Sequence, residues 1–190
     1  MIYLSLNNEE KLALKNLIGK KLIKYRHDPL DKFGQEIVYG RLELFFDSSI
    51  VMIEYDYTPF PLFGSKDDEH PVFRIKNITE EEAVSALENV EQINIECSKV
   101  VSEITLAEDY VEIEWDGKKD SSRILKAIIF RFQNDEIAIQ GDYMMPLLEI
   151  IKGESVVNKL SKPGDELNND PETKYNAERF FVRIDKGYTM

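Results

Sequence analysis

Apolar and polar residues alternate with a period of two in two separate stretches of this chain. In Arg41–Phe46, Leu42, Leu44 and Phe46 alternate with Arg41, Glu43 and Phe45. In Val111–Asp116, Val111, Ile113 and Trp115 alternate with Glu112, Glu114 and Asp116. Successive side chains of a strand point to opposite faces, so this period commits both stretches to pleated ribbon with one wetter face. A third stretch, Ile124–Phe132, is apolar on both faces apart from Lys126 and Arg131, which predicts a strand at the centre of a sheet.

Around these anchors the remaining text resolves into further elements. Strands are expected over 22–25, 36–46, 50–57, 72–76, 91–106, 110–116, 123–133, 136–143 and 147–152. Asp47-Ser48-Ser49, Asp116-Gly117 and Asn134-Asp135 supply turns between them. Two helices are expected. The first runs from Asn8 to Ile18, with Asn7 or Asn8 as its cap, Glu9 and Glu10 in its first turn, and Gly19 as its left-handed exit. The second opens at Thr79, where Thr79 and Glu82 have the spacing of a capping box.

Sliding the sequence by 86 positions places Leu42–Leu62 over Ile128–Leu148 with five identities: Phe46/Phe132, Ile53/Ile139, Asp56/Asp142, Tyr57/Tyr143 and Leu62/Leu148. A helix also precedes each stretch. The expected fold is therefore α+β: two helix-led antiparallel β-meander units, with an internal duplication, packed as one compact body. Residues 1–77 form the first unit and 78–160 the second. Residues 161–190 begin as a polar loop, after which Arg179–Asp185 is either a last strand or part of a frayed terminus.

The charge narrows function. Lys and Arg total 24 against 36 Asp and Glu, a formal charge of −12. That balance weighs against nucleic acid, whose binding depends on neutralising phosphates with Lys and Arg, and favours a basic protein partner reached by electrostatic steering. One stretch runs the other way: Lys11, Lys15, Lys20, Lys21, Lys24 and Arg26 with no acidic residue among them, a patch for anions or RNA or a solvated face guarding a sheet edge. The apolar amino terminus is short and lacks a basic leader, and no stretch approaches the ~18–20 apolar residues needed to cross a bilayer. A single cysteine, Cys97, precludes an intrachain disulfide. These features set the expectation of a reduced, cytoplasmic protein with no membrane partner.

Reactive chemistry is sparse. The chain holds no phosphate-binding Gly-rich loop, no zinc-helix motif and no nucleophile elbow. Its two histidines read as structural: His27, beside Tyr25 and Asp28, at a strand end, and His70 in a hydrated loop after Asp67, Asp68 and Glu69. Cys97 reads as an apolar filler. No cofactor, metal or catalytic residue is assigned.

Two sets of site residues follow. The first is a partner-binding face made of the carboxylates Glu112, Glu114 and Asp116 with the aromatics Tyr55 and Phe60; it fits a non-enzymatic binding protein, such as an immunity-type or antitoxin-like inhibitor whose carboxylates enter a basic cleft. The second is a small-ligand or hydrolytic site between the two units, lined by Asp56, Tyr57, Asp142 and Tyr143. The two differ in geometry: the first needs clustered surface carboxylates, the second needs its four side chains to meet in one pocket.

Overall fold

The computed structural model describes residues 2–32, 35–59, 69–85, 87, 90–143, 145–164 and 174–185. Eleven strands and one α-helix occur among them: β1 (Ile2–Leu4), α1 (Asn8–Lys15), β2 (Lys21–Lys32), β3 (Gln35–Phe46), β4 (Ile50–Pro59), β5 (Glu69–Ile78), β6 (Ile93–Val100), β7 (Glu103–Trp115), β8 (Lys118–Arg131), β9 (Glu136–Gly141), β10 (Leu147–Gly153) and β11 (Lys174–Ile184). A short 3-10 helix spans Val156–Lys159.

The protein is mostly antiparallel β-sheet, which corrects the α+β expectation. Helix α1 forms as its sequence foretells, with Asn7 and Glu10 in a reciprocal capping box. The helix expected at Thr79 does not form. Its capping contacts are present, since Glu82 accepts from the Thr79 amide at 2.8 Å and hydroxyl at 3.1 Å. The carbonyls that would continue a helix are used elsewhere: Arg41 takes Glu82 O at 2.6 Å and Arg26 takes Ala83 O. Asp28 fixes the far end, accepting from Ser85 Oγ at 2.7 Å and the Leu87 amide at 3.2 Å. With Val84 55% exposed, the stretch has no second apolar row to bury, and tertiary bonds override local propensity.

The strands form two arrays, β6-β2-β3-β4-β5 and β11-β7-β8-β9-β10. Each is a four-strand meander whose fifth strand returns beside the first. The arrays join along β3, which changes partner midway. Ile37–Tyr39 pairs with Glu149–Leu147 of β10, whereas Arg41–Phe45 pairs with Glu54–Ile50 of β4. Gly40 stands at this fork with φ +60, a conformation that strains any side chain, and its amide donates to Pro146 O at 2.8 Å. Strand β1 runs parallel beside β8 at Ser122–Ile124.

The hairpins β3–β4 and β8–β9 share one register under the 86-residue shift. Leu42 faces Ile53 as Ile128 faces Ile139, and Leu44 faces Val51 as Phe130 faces Ile137. The closing bonds also correspond, Phe46 N to Ser49 O at 2.8 Å and Phe132 N to Asp135 O at 2.9 Å. What recurs is strand order and register; the helix that was expected to lead each unit is present only in the first.

The main core lies where the arrays face each other. Leu42, Leu44, Val51, Ile53, Tyr55 and Phe73 pack with Leu106, Ile128, Phe130, Ile137, Ile139 and Leu148, joined by Leu14 of α1 and Leu17 of the turn that follows it. Full burial of each such side chain is worth roughly 1.5–3 kcal/mol. A second cluster of small residues, Ala107, Ala127, Ile129, Ala138 and Ile151, is capped by Val156 and Leu160 of the 3-10 segment. As its sequence requires, β8 is central, flanked by β7 on one side and by β9 and β1 on the other.

Candidate functional site

Three of the gatherings of titratable side chains among the described residues differ in access. The most enclosed centres on Asp109, 0% exposed. Asp109 of β7 stands directly opposite Arg179 of β11, which binds it in a fork, Nε to Oδ1 at 2.5 Å and Nη2 to Oδ2 at 2.7 Å. The Tyr143 hydroxyl donates to the same carboxylate. Arg179 also donates to Ser161 O at 2.7 Å, and the Ser161 amide donates to Gln140 Oε1 at 2.8 Å. Burial works against the Arg179 charge, but the bonds to Asp109 outweigh it and hold the guanidinium above its ordinary pKa.

Lys126 lies with its Nζ 4.0 Å from the Tyr143 ring centre, and the His70 ring stands 6.0 Å from the same ring. His70 is 8% exposed on β5, not in a hydrated loop. Burial and then the Lys126 charge depress its pKa to about 4, with Asp142 opposing. Asp109 and Tyr143 have no exposed surface, so a substrate cannot reach them. This network clamps β11 and the Ser161 turn to the sheet.

The second gathering is half open. Glu36 of β3 accepts from Tyr25 Oη at 2.8 Å, faces His27 Nε2 at 3.1 Å and pairs with Lys152 of β10. Burial would raise the Glu36 pKa, but the bonds from His27, Lys152 and Tyr25 bring it down to about 2. Burial first, then the Glu36 carboxylate, pushes the Tyr25 hydroxyl upward, so it stays a donor. His27 thus works with Glu36 rather than with its sequence neighbour Asp28, which is occupied by Ser85 and Leu87.

The third lies where β7, β8 and β11 run on together past β1. An open cleft of about 400 Å³ is lined by Glu112, Ile113, Glu114, Lys119, Asp120, Ser121, Lys174, Tyr175 and Asn176. The Tyr110 hydroxyl orients Glu112 at 3.1 Å, and Lys119 pairs with Glu114 at 3.3 Å. Two of the three expected carboxylates therefore line one cleft from the same face of β7, whereas Asp120, opposite Ile113 in the register, belongs to the other face. Asp116 sits at the hairpin turn with φ +47, exposed and outside that lining.

The other expected residues disperse. Tyr55 is no surface contact: it is 1% exposed, packs at a tilt against Phe73 with ring centres 4.6 Å apart, and donates to Asp142 O at 2.6 Å. Gly141 makes that slot, because a Cβ there would stand 2.6 Å from the Tyr55 hydroxyl. Phe60 lies outside the described residues. Asp56 and Tyr57 line a groove of about 240 Å³ at the fork, with Tyr39, Gly40, Arg41, Glu54, Tyr55 and Pro146. Asp142 lines a neighbouring cleft of about 160 Å³ with Ile37, Gln140 and Glu149, and Tyr143 is buried. The four residues of the second set thus lie close to one junction without sharing one pocket.

Sequence reading missed Glu36 and Lys152 beside Tyr25 and His27, and Asp109 with Arg179 beside Tyr143. Asp109 and Arg179 are 70 positions apart, and no local spacing signals such a pair. Among the described residues no group of three or more His, Cys, Asp or Glu is placed to hold a metal ion. No helix among them is long and apolar enough to cross a membrane. Compared with known proteins, the chain matches no family model, no curated protein and no solved structure.

Proposed function

We propose that this protein is a non-enzymatic binding protein that takes a basic protein partner at the turn end of the β7–β8 hairpin. One observation carries the reading: Glu112 and Glu114, on one face of β7, both line one solvent-open cleft, and Asp120 lines it from the other face beside Ile113 and Tyr175. An arginine of the partner would reach the Glu112 and Glu114 carboxylates with its guanidinium. The exposed Lys119–Glu114 pair holds the cleft weakly, since such a pair contributes about 0–1 kcal/mol, and a partner displaces it at little cost. A formal charge of −12 steers the encounter.

An immunity-type or antitoxin-like inhibitor of a cytoplasmic basic enzyme is the concrete form of this role. The same reading takes the two arrays as copies of one strand-only unit, on the support of their common strand order and hairpin register.

The test uses an arginine-rich peptide as a probe, titrated calorimetrically at low and moderate salt. The triple variant Glu112→Gln, Glu114→Gln, Asp120→Asn should weaken binding by about tenfold or more. A control removing three exposed carboxylates elsewhere, Glu9→Gln, Glu80→Gln and Glu81→Gln, should change it by no more than about twofold. Equal losses in the two triples would mean that overall charge alone attracts the peptide, and the cleft would lose its role.

A further inference from the structure

Strand β11 closes one end of the sheet, and among the described residues only β7 pairs with it. An open edge is a template for another chain, and proteins commonly blunt it with proline, a bulge or a break in the strand. The edge strand β6 is blunted in this way, with Ser98 at φ +57. Strand β11 has eleven residues, none of them proline or glycine and none at positive φ. It carries two adjacent phenylalanines, Phe180 at 44% exposure and Phe181 at 47%, one on each face of the sheet.

A small apolar pocket lies beside this edge, where α1 meets the end of β11. Leu12, Leu106, Val182 and Ile184 line it with the basic Lys11, Lys15 and Arg183, and no carboxylate does. At about 40 Å³ it is far below the ~300–1,000 Å³ of a small-molecule site and suits the tip of one apolar side chain. Two antiparallel strands related by a two-fold axis pair residues of the same face, so the axis passes through a residue and not between two. With the axis at Val182, Phe180 of each copy stands opposite Ile184 of the other, and Phe181 opposite Arg183. An axis at Phe180 or Phe181 sets the Glu178 carboxylate against Val182 or Ile184, and one at Arg183 sets Phe181 against Asp185.

We propose that the edge of β11 pairs antiparallel with β11 of a second copy of this chain, the two-fold axis lying at Val182. Phe180 of one copy enters the pocket beside Ile184 of the other. On the opposite face, Phe181 lies on the guanidinium of the other copy's Arg183. That arginine is 65% exposed, and Glu103 holds its Nε at 2.9 Å, which leaves the flat face for the ring. Glu178 is exposed two positions from Phe180 on the same face, and it brings a carboxylate to the basic rim where Lys11 stands. The paired segment runs from Arg179 to Asp185. It leaves Lys174–Asn176 uncovered and does not rest on the role of the acidic cleft.

Sedimentation equilibrium of the full chain over a concentration series should show monomer and dimer exchanging in the micromolar range. Phe180→Lys should weaken the dimer by about tenfold or more. Glu178→Lys should weaken it several-fold, and adding Lys11→Glu to the same chain should restore it. Ile93→Lys, on the exposed edge strand β6, should change nothing. In a Cys97→Ser background, Val182→Cys should form an intermolecular disulfide on mild oxidation. Phe181→Cys should not, because its two copies are offset along the strands beyond the ~7 Å Cα separation that a disulfide spans. A dimer untouched by Phe180→Lys, or faster crosslinking by Phe181→Cys than by Val182→Cys, would overturn the proposal. A monomer at every concentration would do the same, and binding of an added extended peptide by that monomer would assign the edge to a different chain.

Discussion

His70 shows how placement alone changes a residue's chemistry. Buried beside Lys126 and Tyr143, its pKa of about 4 lies below the 6.5 of an unfolded chain. The folded protein therefore refuses a proton that the unfolded chain accepts once the pH falls below 6.5. The stabilisation from neutral His70 is complete above that point and is lost progressively down to about pH 4, by about 3 kcal/mol in all. Urea melts between pH 7 and 5 should show this slope in the native protein, and His70→Gln should flatten it. Asp109 makes the complementary case. Asp109→Asn leaves the buried Arg179 charge without its carboxylate and should cost about 3–5 kcal/mol in the same assay. Neither residue advertises itself locally: His70 follows three acidic residues and reads as solvated, and Asp109 lies in a run of mixed polarity.

Single elements depend on contacts that cross between them. Helix α1 is short, and its capping glutamate does two things. Glu10 Oε2 accepts from the Asn7 amide at 2.8 Å and Oε1 accepts from the Ile75 amide of β5 at 3.2 Å. Glu10→Ala thus removes a cap and strands a buried sheet amide. It should lower stability by about 2 kcal/mol, more than Glu9→Ala on the exposed side, as measured by thermal unfolding. The Thr79–Leu87 stretch is the converse case. Its cap was legible, but the helix was not its outcome, because Arg26, Arg41 and Asp28 hold its polar groups. These arginines are 41 and 57 positions from the carbonyls they take, out of reach of any window of local propensity. Strands were easier to read: the period-two stretches and the central β8 stand where their patterns place them, and Arg179–Ile184 does return to the sheet.

At the scale of the whole molecule, the two arrays meet through unequal residues at equivalent places. Tyr55 and Gly141 correspond under the 86-residue shift, and they touch each other across the core. One must be small because the other is large. Gly141→Ala brings a methyl to 2.6–2.7 Å from the Tyr55 hydroxyl and Cε2, against a ring held by Phe73 and Asp142. We expect a loss of about 2–3 kcal/mol, relieved in the double variant with Tyr55→Leu, so that the two changes are strongly non-additive in denaturant melts. Pattern by itself determined the period-two strands, the central strand and the capped start of the first helix, because each depends on residues a few positions apart; that helix ends at Lys15, short of the expected Ile18 and Gly19 exit. The tertiary structure decided the rest: that the stretch opening at Thr79 is not a helix among the described residues, that β3 changes partner at Gly40, and that His70 and Tyr55 are buried. Those outcomes turn on contacts between residues tens of positions apart, whose energies exceed local preferences and leave no trace in local spacing.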